Sequence, residues 1–380
     1  MNILVISNWY PNKNNVVSGI FVNEQVKALK LLGVNIIVFF PFDKSIKEGV
    51  LVEDIEEGIL VYRANTDNLK NSKLSRISSI RKSLKILNKI VIKHDINLIH
   101  AHVCYVAGII SYLYNKFYKK IPYIITEHSS KVSQYSSKFY NKILFYSAYK
   151  NAEKVISVSR SLENELKSLG YIFNSKIIGN IVDTKYYTTD NEYKLYDSSL
   201  KGLFIGLMGD NEVKGIQYLL PAISNFVKKH NYNVSFTFIG DGPKKIKYEK
   251  MVKELGIANI CTFKGTILKK DIPEHIMKHD FLILPSIKET FGSVLIEAMA
   301  AGKPVLTTKC GGPEEFVTDK LGIVVKSKDI ESLEKGLYEM VNNYKTFDKN
   351  YIKKFAQNEF SYETIGKKIK DTYCEVLSVE

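Results

Sequence analysis

The sequence predicts an α/β protein made of two doubly wound parallel domains. Three observations carry that expectation. Apolar runs with strand character alternate with segments of helical periodicity along nearly the whole chain. The alternation is interrupted once, by a polar stretch at 183–200 rich in Asp, Tyr, Thr and Ser, and then begins afresh. A chain of 380 residues also suits two cores, at roughly 100–200 residues per domain.

The first half opens with "NILVIS", followed by a helix expected at about 20–32. "NIIVFF", "LIHAH" and "YIITEH" read as further strands, and "KVISVS" and "SKIIGN" close the half. The second half runs "GLFIGLMG", "VSFTFIG", "ICTFKG", "FLILPS" and "PVLTT", with a helix expected between neighbours. Runs this apolar suit strands covered by helices on both faces. A last amphipathic helix is expected at about 362–377. The domains are accordingly placed at 1–183 and 184–360, with 361–380 as a terminal helix. Ligands of such sheets sit outside the carboxyl ends of the strands, so the expected site is a cleft between two facing domains.

Composition narrows the class without naming a function. The hydrophobic fraction of 45% and the charged fraction of 25% are ordinary for a globular protein. The four cysteines, Cys104, Cys261, Cys310 and Cys374, form no CxxC pair and no cluster with histidine. Neither a disulfide framework nor a zinc site is indicated, and a reducing cytosol fits best. "MNILVISNWYP" lacks a basic region and a long apolar region, so it reads as a first strand and not as a signal peptide. The stretch 96–114 contains Asn97, His100, His102 and Gly108, and splits into a strand and a helix better than it forms a membrane span. The formal net charge of +14 favours anionic partners: phosphates, nucleic acid or acidic lipid head groups.

The stretch richest in chemistry is "KETFGSVLIEAMAAGKPV". "FLILPS" ends a buried strand just before it, so Glu289 falls in a strand-to-helix loop. Phe291, Gly292 and Ser293 start the helix, and Glu297 lies one to two turns in. Free N–H groups at a helix start bind anions, and glycine lets a phosphate approach closely. Eight helical positions span about 12 Å at ~1.5 Å per residue. The paired carboxylates of sugar-bond hydrolases sit roughly 5–9.5 Å apart. The two glutamates therefore suit opposite ends of one long ligand better than an acid–base pair. Taken alone, the spacing fits a loop charge and a helix-face charge equally well.

The E-x7-E element in its "FGSVLIEAMAAGKPV" setting resembles retaining glycosyltransferases of family 4, built on the GT-B fold with two Rossmann-like domains. Other landmarks match in order: "SGIFVNEQVKAL", "INLIHAH", "YIITEH", "VISVSRSLENELKSLG", "IGNIVDTKYY", "VKGIQYLLPAI", "FIGDGP", "FKG", "HDFLILPS", "GGPEEFV" and "FSYETIGKKIKDTYCEVL". The last is similar to a terminal helix that crosses back to the first domain. The resemblance covers nearly the whole chain. It implies a UDP- or GDP-type nucleotide-sugar donor held by the C-terminal domain and a glycan or lipid-linked acceptor on the N-terminal domain. It also implies transfer with retention, no metal and no cofactor. By the same resemblance Glu289 would contact donor-sugar hydroxyls and Glu297 the ribose hydroxyls. Backbone groups of Phe291, Gly292 and Ser293 would face the sugar and diphosphate. Lys214 would neutralise the leaving phosphate, Gly19 would let the first loop approach it, and His128 would lie beside the transferring sugar.

One departure stands out. The family usually places an Arg shortly before that Lys, whereas "LMGDNEVKG" offers Gly209, Asp210 and Asn211. Lys264 or Lys309 is the expected compensating base, with Lys264 counted among the donor-binding residues. Ile181 also stands where a Gly is common.

Other features have plainer readings. His100 and His102 read first as structural histidines at a strand end. A Lys at the start of a helix opposes the helix dipole, which favours a ligand role for Lys214. "GDGP" alone reads as a turn. Two basic stretches, 70–93 and 131–154, interleave apolar residues with lysine and arginine. Each is either a core-packed helix with a solvated face or a contact for an anionic membrane surface. The leading expectation is therefore a cytoplasmic sugar transferase of cell-surface polysaccharide synthesis, peripheral to the inner face of the membrane. An epimerase or phosphorylase on the same fold is the alternative. A non-enzymatic membrane- or nucleic-acid-binding protein is more remote, since no helix-turn-helix, RNP-type or zinc motif supports nucleic acid as a partner.

Overall fold

The computed structural model describes residues 1–66, 73–187 and 199–378; of residues 73–75 it describes the backbone only. Most of the polar break at 183–200, and the first residues of the basic stretch at 70–93, therefore lie outside the described residues. The chain forms two compact units, Met1–Ile181 with Tyr362–Glu380, and Val182–Ser361.

Unit 1 is built on a sheet of β1 (Asn2–Ser7), β2 (Asn35–Phe40), β3 (Leu51–Glu56), β4 (Ile59–Ala64), β5 (Leu98–His102), β6 (Tyr123–Glu127), β7 (Lys154–Ser157) and β8 (Ser175–Ile177). Their order across the sheet is β3-β4-β2-β1-β5-β6-β7-β8. Helices α1 (Ile20–Leu31), α2 (Lys73–His94), α3 (Ile109–Phe117), α4 (Val132–Tyr135), α5 (Phe139–Lys150) and α6 (Arg160–Ser168) belong to the same unit. Successive residues of a strand face opposite sides, and β1 divides the core accordingly. Ile3 and Val5 pack with Val22 and Val26 of α1 and with Ile365, Ile369 and Tyr373 of the terminal helix. Leu4 and Ile6 pack with Leu84 and Leu87 of α2, Ile110 of α3 and Phe145 of α5. Both faces are covered, which is why the strands read as unbroken apolar runs.

Unit 2 carries β9 (Leu200–Ile205), β10 (Val234–Ile239), β11 (Cys261–Gly265), β12 (Phe281–Leu284), β13 (Val305–Lys309) and β14 (Gly322–Lys326). All neighbours pair in parallel, in the order β11-β10-β9-β12-β13-β14. In chain order that is 3-2-1-4-5-6, the dinucleotide-fold order. Its helices are α7 (Ile216–Lys229), α8 (Lys245–Glu254), α9 (Ile272–Met277), α10 (Ser293–Ala300), α11 (Ile330–Asn343) and α12 (Lys349–Phe360), and the terminal helix α13 (Tyr362–Leu377) returns to unit 1. The strand order reverses between β9 and β12 in unit 2 and between β1 and β5 in unit 1. Ligand sites of open α/β sheets lie at such points.

One element departs from the all-parallel expectation. β3 and β4 form an antiparallel hairpin at the edge of unit 1. Its two-residue turn is Glu57–Gly58, both with positive φ (50° and 73°), the backbone that matches the strand twist. Arg63 on β4 ties the edge down with ion pairs to Asp43 at 2.8 Å and Glu56 at 2.5 Å. All four cysteines are free thiols. The stretch 96–114 divides into β5 and α3, and among the described residues no helix is long and apolar enough to cross a membrane.

Candidate active site

Two kinds of helix start stand out. α6, α11 and α12 begin under Ser159, Asp329 and Asp348, whose side chains accept N–H groups of the first turn, the usual cap. α1, α7 and α10 begin instead at Gly19, Gly215 and Gly292, each left-handed and with no side-chain cap. These three helices follow β1, β9 and β12, strands that flank the two switch points. No side chain caps these three starts, and the positive end of each helix dipole favours an anion there.

In unit 2 the two uncapped helices are locked together by backbone. A Cβ on Gly215 would sit 1.8 Å from the Pro285 carbonyl oxygen, so only glycine allows the loop after β9 to press on the end of β12. The Ile287 N–H donates to the Val213 carbonyl at 2.7 Å. Lys214 is thereby carried to Glu289, and the two form an ion pair. Ser286 donates its hydroxyl to the same carboxylate oxygen at 2.8 Å. The Glu289 backbone is pinned on both sides: its N–H donates to Cys310 (2.9 Å) and its carbonyl accepts from Gly312 (3.0 Å). Glu314 holds the glycine turn by accepting the N–H groups of Cys310 (3.0 Å) and Gly311 (2.9 Å). The "GGPEE" segment is thus a bracket for Glu289.

The Phe291 ring is buried against Phe316 and Phe360, with centroids at 5.0 and 5.7 Å. Gly292 (φ 90°) turns the chain into α10, and Ser293 is the first helical residue. Glu297, on the same helix, is ion-paired to Lys269. That lysine lies in a short helical turn after β11 and was not foreseen in the sequence. Lys264, the expected base, is exposed on β11, where its charge acts on Glu274, His275 and His279. Lys309 is exposed at the end of β13. The acids that stand where the family's Arg is usual turn to other cations: Asp210 faces Lys244 at 3.8 Å, and Glu212 pairs with Lys247 at 2.7 Å.

In unit 1 the C-terminal ends of β5 and β6 bring three histidines together. His102 Nδ1 and His128 Nε2 are hydrogen-bonded at 3.1 Å. His100 bonds Thr126 and Tyr373 of α13, each at 2.7 Å. The rings of His100 and His102 lie 4.3 Å apart, and Phe21 of α1 packs on His128 at 4.4 Å. Burial, with a smaller contribution from the neighbouring histidines, pushes His100 down to about 3 and His102 well below the ordinary histidine range. Burial also takes His128 down to about 3, against a weaker upward pull from Asn180. All three are neutral imidazoles at working pH. Gly19 is close-packed here: a Cβ would meet the Trp9 carbonyl oxygen at 2.0 Å.

The segment after β5 is strained. Val103 and Val106 have φ of 71° and 62°, a region that costs a β-branched residue on the order of 1–3 kcal/mol. Such strain collects at functional sites and persists only where the surroundings fix it.

Similarity to known proteins identifies the family and the fold. Residues 18–186 match the model of Glycosyltransferase Family 4, and residues 192–358 that of Glycosyl transferases group 1. An uncharacterised glycosyltransferase of Methanocaldococcus jannaschii is 27% identical over 381 residues, 99% of each chain. The Bacillus subtilis glycosyltransferase TuaC, provisionally assigned to teichuronic acid biosynthesis, is 27% identical over 88% of this chain and 87% of its own. Among solved structures, sucrose-phosphate synthase of Thermosynechococcus elongatus superposes with TM-score 0.81 at 18% identity, over the full length of both chains. Anabaena HepE in complex with UDP gives 0.78 at 19% identity, over 99% of this chain and all of that one. Two family models that follow one another along the chain, and neighbours that share both sheets, lead to one conclusion: the chain belongs to glycosyltransferase family 4 and is a hexosyltransferase-type enzyme with the GT-B fold.

Proposed function

We propose that the protein transfers a hexose, with retention, from a UDP- or GDP-type nucleotide sugar to a growing glycan or lipid-linked acceptor in cell-surface polysaccharide synthesis. The observation that carries this reading is the pair of uncapped helix starts at Gly215 and Gly292 with the Lys214–Glu289 ion pair beside them. A diphosphate is the anion such a cradle suits. TuaC's teichuronic acid assignment and the UDP bound by HepE support the acceptor class and the donor.

In this reading Lys214 meets the charge that grows on the leaving phosphate as the bond from C1 to oxygen breaks. The acceptor oxygen bonds C1 from the same face, and its proton passes to the leaving diphosphate. Glu289 orients the donor-sugar hydroxyls and Glu297 the ribose hydroxyls. Lys269, already paired to Glu297, supplies positive charge in the unit that lacks the family's usual Arg. His128 serves from unit 1 as a neutral hydrogen-bonding group. A thermal-shift screen with UDP-, GDP- and ADP-sugars, followed by mass analysis with lipid-linked acceptors, tests the reading. A new glycoside supports it. A free epimer or a sugar phosphate as sole product overturns it in favour of the epimerase or phosphorylase alternative.

The membrane surface is proposed at α5. Leu84, Leu87 and Ile90 of α2 are buried in the core, as are Phe145 and Tyr149 of α5. Phe139 and Ile143, one turn apart on α5, are 80% and 50% exposed beside the exposed Lys131, Lys138 and Lys142. Apolar tips among lysines suit an anionic bilayer. Pelleting with anionic vesicles at low salt is expected, and is expected to vanish in Phe139→Glu. No pelleting of the unaltered protein removes the idea.

A further inference from the structure

Glu127 is wholly buried and has no part in the chemistry above. It immediately precedes His128. Its carboxylate accepts four hydrogen bonds. Oε1 takes the backbone N–H groups of His128 (3.0 Å) and Ser129 (2.8 Å). Oε2 takes the backbone N–H of Cys104 (3.0 Å) and the hydroxyl of Tyr149 (2.8 Å). Three of the four donors are main chain and cannot turn away.

Cys104 begins the strained turn that follows β5. The same turn is held from its other side by Asn8, at the end of β1. Asn8 Oδ1 accepts the Ala107 N–H at 3.0 Å, and its amide donates to the Tyr105 carbonyl. The turn is thus clamped between groups from the strands on either side of β5. Its one aromatic, Tyr105, stacks on Tyr135 with centroids 4.3 Å apart, and both rings are partly exposed. A partly exposed aromatic pair is a usual platform for a sugar ring.

We propose that Glu127 is a positioning residue: it holds the Val103–Gly108 turn and the backbone of His128 in one arrangement, and this turn with the Tyr105–Tyr135 pair is the part of unit 1 that recognises the acceptor glycan. The inference rests on the reading that unit 1 binds the acceptor. The carboxylate is required because every partner is a donor. In Glu127→Gln the shape is kept, but the amide N–H2 must face main-chain N–H groups. Turned towards His128 and Ser129 it opposes two of them. Turned the other way it opposes Cys104 alone, since the Tyr149 hydroxyl can rotate to accept. The second orientation is favoured, and it leaves the Cys104 N–H buried and unpaired. The strained turn then loses its clamp.

The test measures transfer with a synthetic lipid-linked glycan, varying donor and acceptor separately. Glu127→Gln is expected to raise the acceptor KM about tenfold, the equivalent of roughly 1.4 kcal/mol, and to leave the donor KM unchanged. Tyr149→Phe removes the one rotatable donor and is expected to keep the acceptor KM within about threefold. Adding Val106→Gly to Glu127→Gln is expected to restore much of the loss, because glycine relieves the strain the clamp opposes. An unchanged acceptor KM in Glu127→Gln overturns the proposal. So does an equal loss for donor and acceptor, which marks a general structural role. If Glu127→Gln yields no folded protein, Asn8→Ala loosens the same turn from its other side and is read in the same way. Failure of the underlying reading shows separately, as an unaltered enzyme that makes no glycoside.

Discussion

Glu289→Ala and Lys214→Ala are each expected to lower kcat/KM for transfer by about 10²–10³, the scale of removing one preorganised charge-stabilising group from a transition state. The effect is expected to be large because both groups are held in place. Glu289 is fixed by main-chain bonds to Cys310 and Gly312, by the Ser286 hydroxyl and by Lys214. Its carboxylate is therefore aimed before any ligand arrives. Lys214 is delivered by a glycine that no other residue can replace without meeting Pro285. Neither side chain holds the core together. Loss of one leaves its partner only partly buried, with side-chain exposures of 27% for Lys214 and 12% for Glu289, so water can answer it. Melting temperatures are accordingly expected to stay within a few degrees. The double variant is expected to lose about as much as the worse single one, because groups that act as a unit are not additive. Steady-state transfer assays on folded variants check all three. Normal turnover in both single variants would remove the donor site from this part of unit 2.

How much of this could be read beforehand depends on how local the signal is. The buried strands were legible because helices cover both faces, and each strand therefore announces itself as a short apolar run. The β3–β4 hairpin is not legible in this way because its faces are mixed. Leu51, Glu53, Asp54 and Ile55 are exposed, so no continuous apolar run marks the edge. Glu57–Gly58 between two alternating stretches was the available clue. Glu289, Gly292 and Glu297 lie within nine residues, and their spacing could be interpreted directly. Lys269 could not be found this way, because it reaches Glu297 across 28 residues through the packing of the turn after β11 near α10. Lys264 carries the same charge and is the lysine of the "FKG" landmark itself, yet its neighbours are the acid and histidines around α9. Spacing shows which residues share an element; it does not show which way a lysine five positions further on will turn. Tyr373 meets His100 across 273 positions, and only the return of α13 to unit 1 brings them together. Glu127 stands in the legible "TEH", but the four donors around it are displayed by no motif.

Acidification from pH 7.5 to pH 5.5 is expected to destabilise unit 1 sharply. In the unfolded chain His100, His102 and His128 take up protons near 6.5. In the folded protein, burial holds His100 and His128 down to about 3 and His102 well below its ordinary range. Between those limits the unfolded state binds more protons than the folded one, so stability falls as pH falls. The contribution is fully present above about pH 6.5 and is lost progressively below it. Each histidine accounts for about 1.4 kcal/mol per pH unit at most, and three together for about 4 kcal/mol. Domains are stable by only about 5–15 kcal/mol, so one unit of pH is a large fraction of the whole. Glu127 acts in the opposite sense. Burial raises its carboxyl despite the bonds from Cys104, Ser129 and Tyr149, so below its folded-state value the folded protein holds the extra proton and regains part of the loss. Urea midpoints at pH 7.5, 6.5 and 5.5 measure the slope. His102→Gln removes one titrating group and is expected to flatten the slope by about a third. A midpoint that does not move between pH 7.5 and 5.5 would mean the three rings are not buried as neutral imidazoles. His128 could then enter the reaction as a cation.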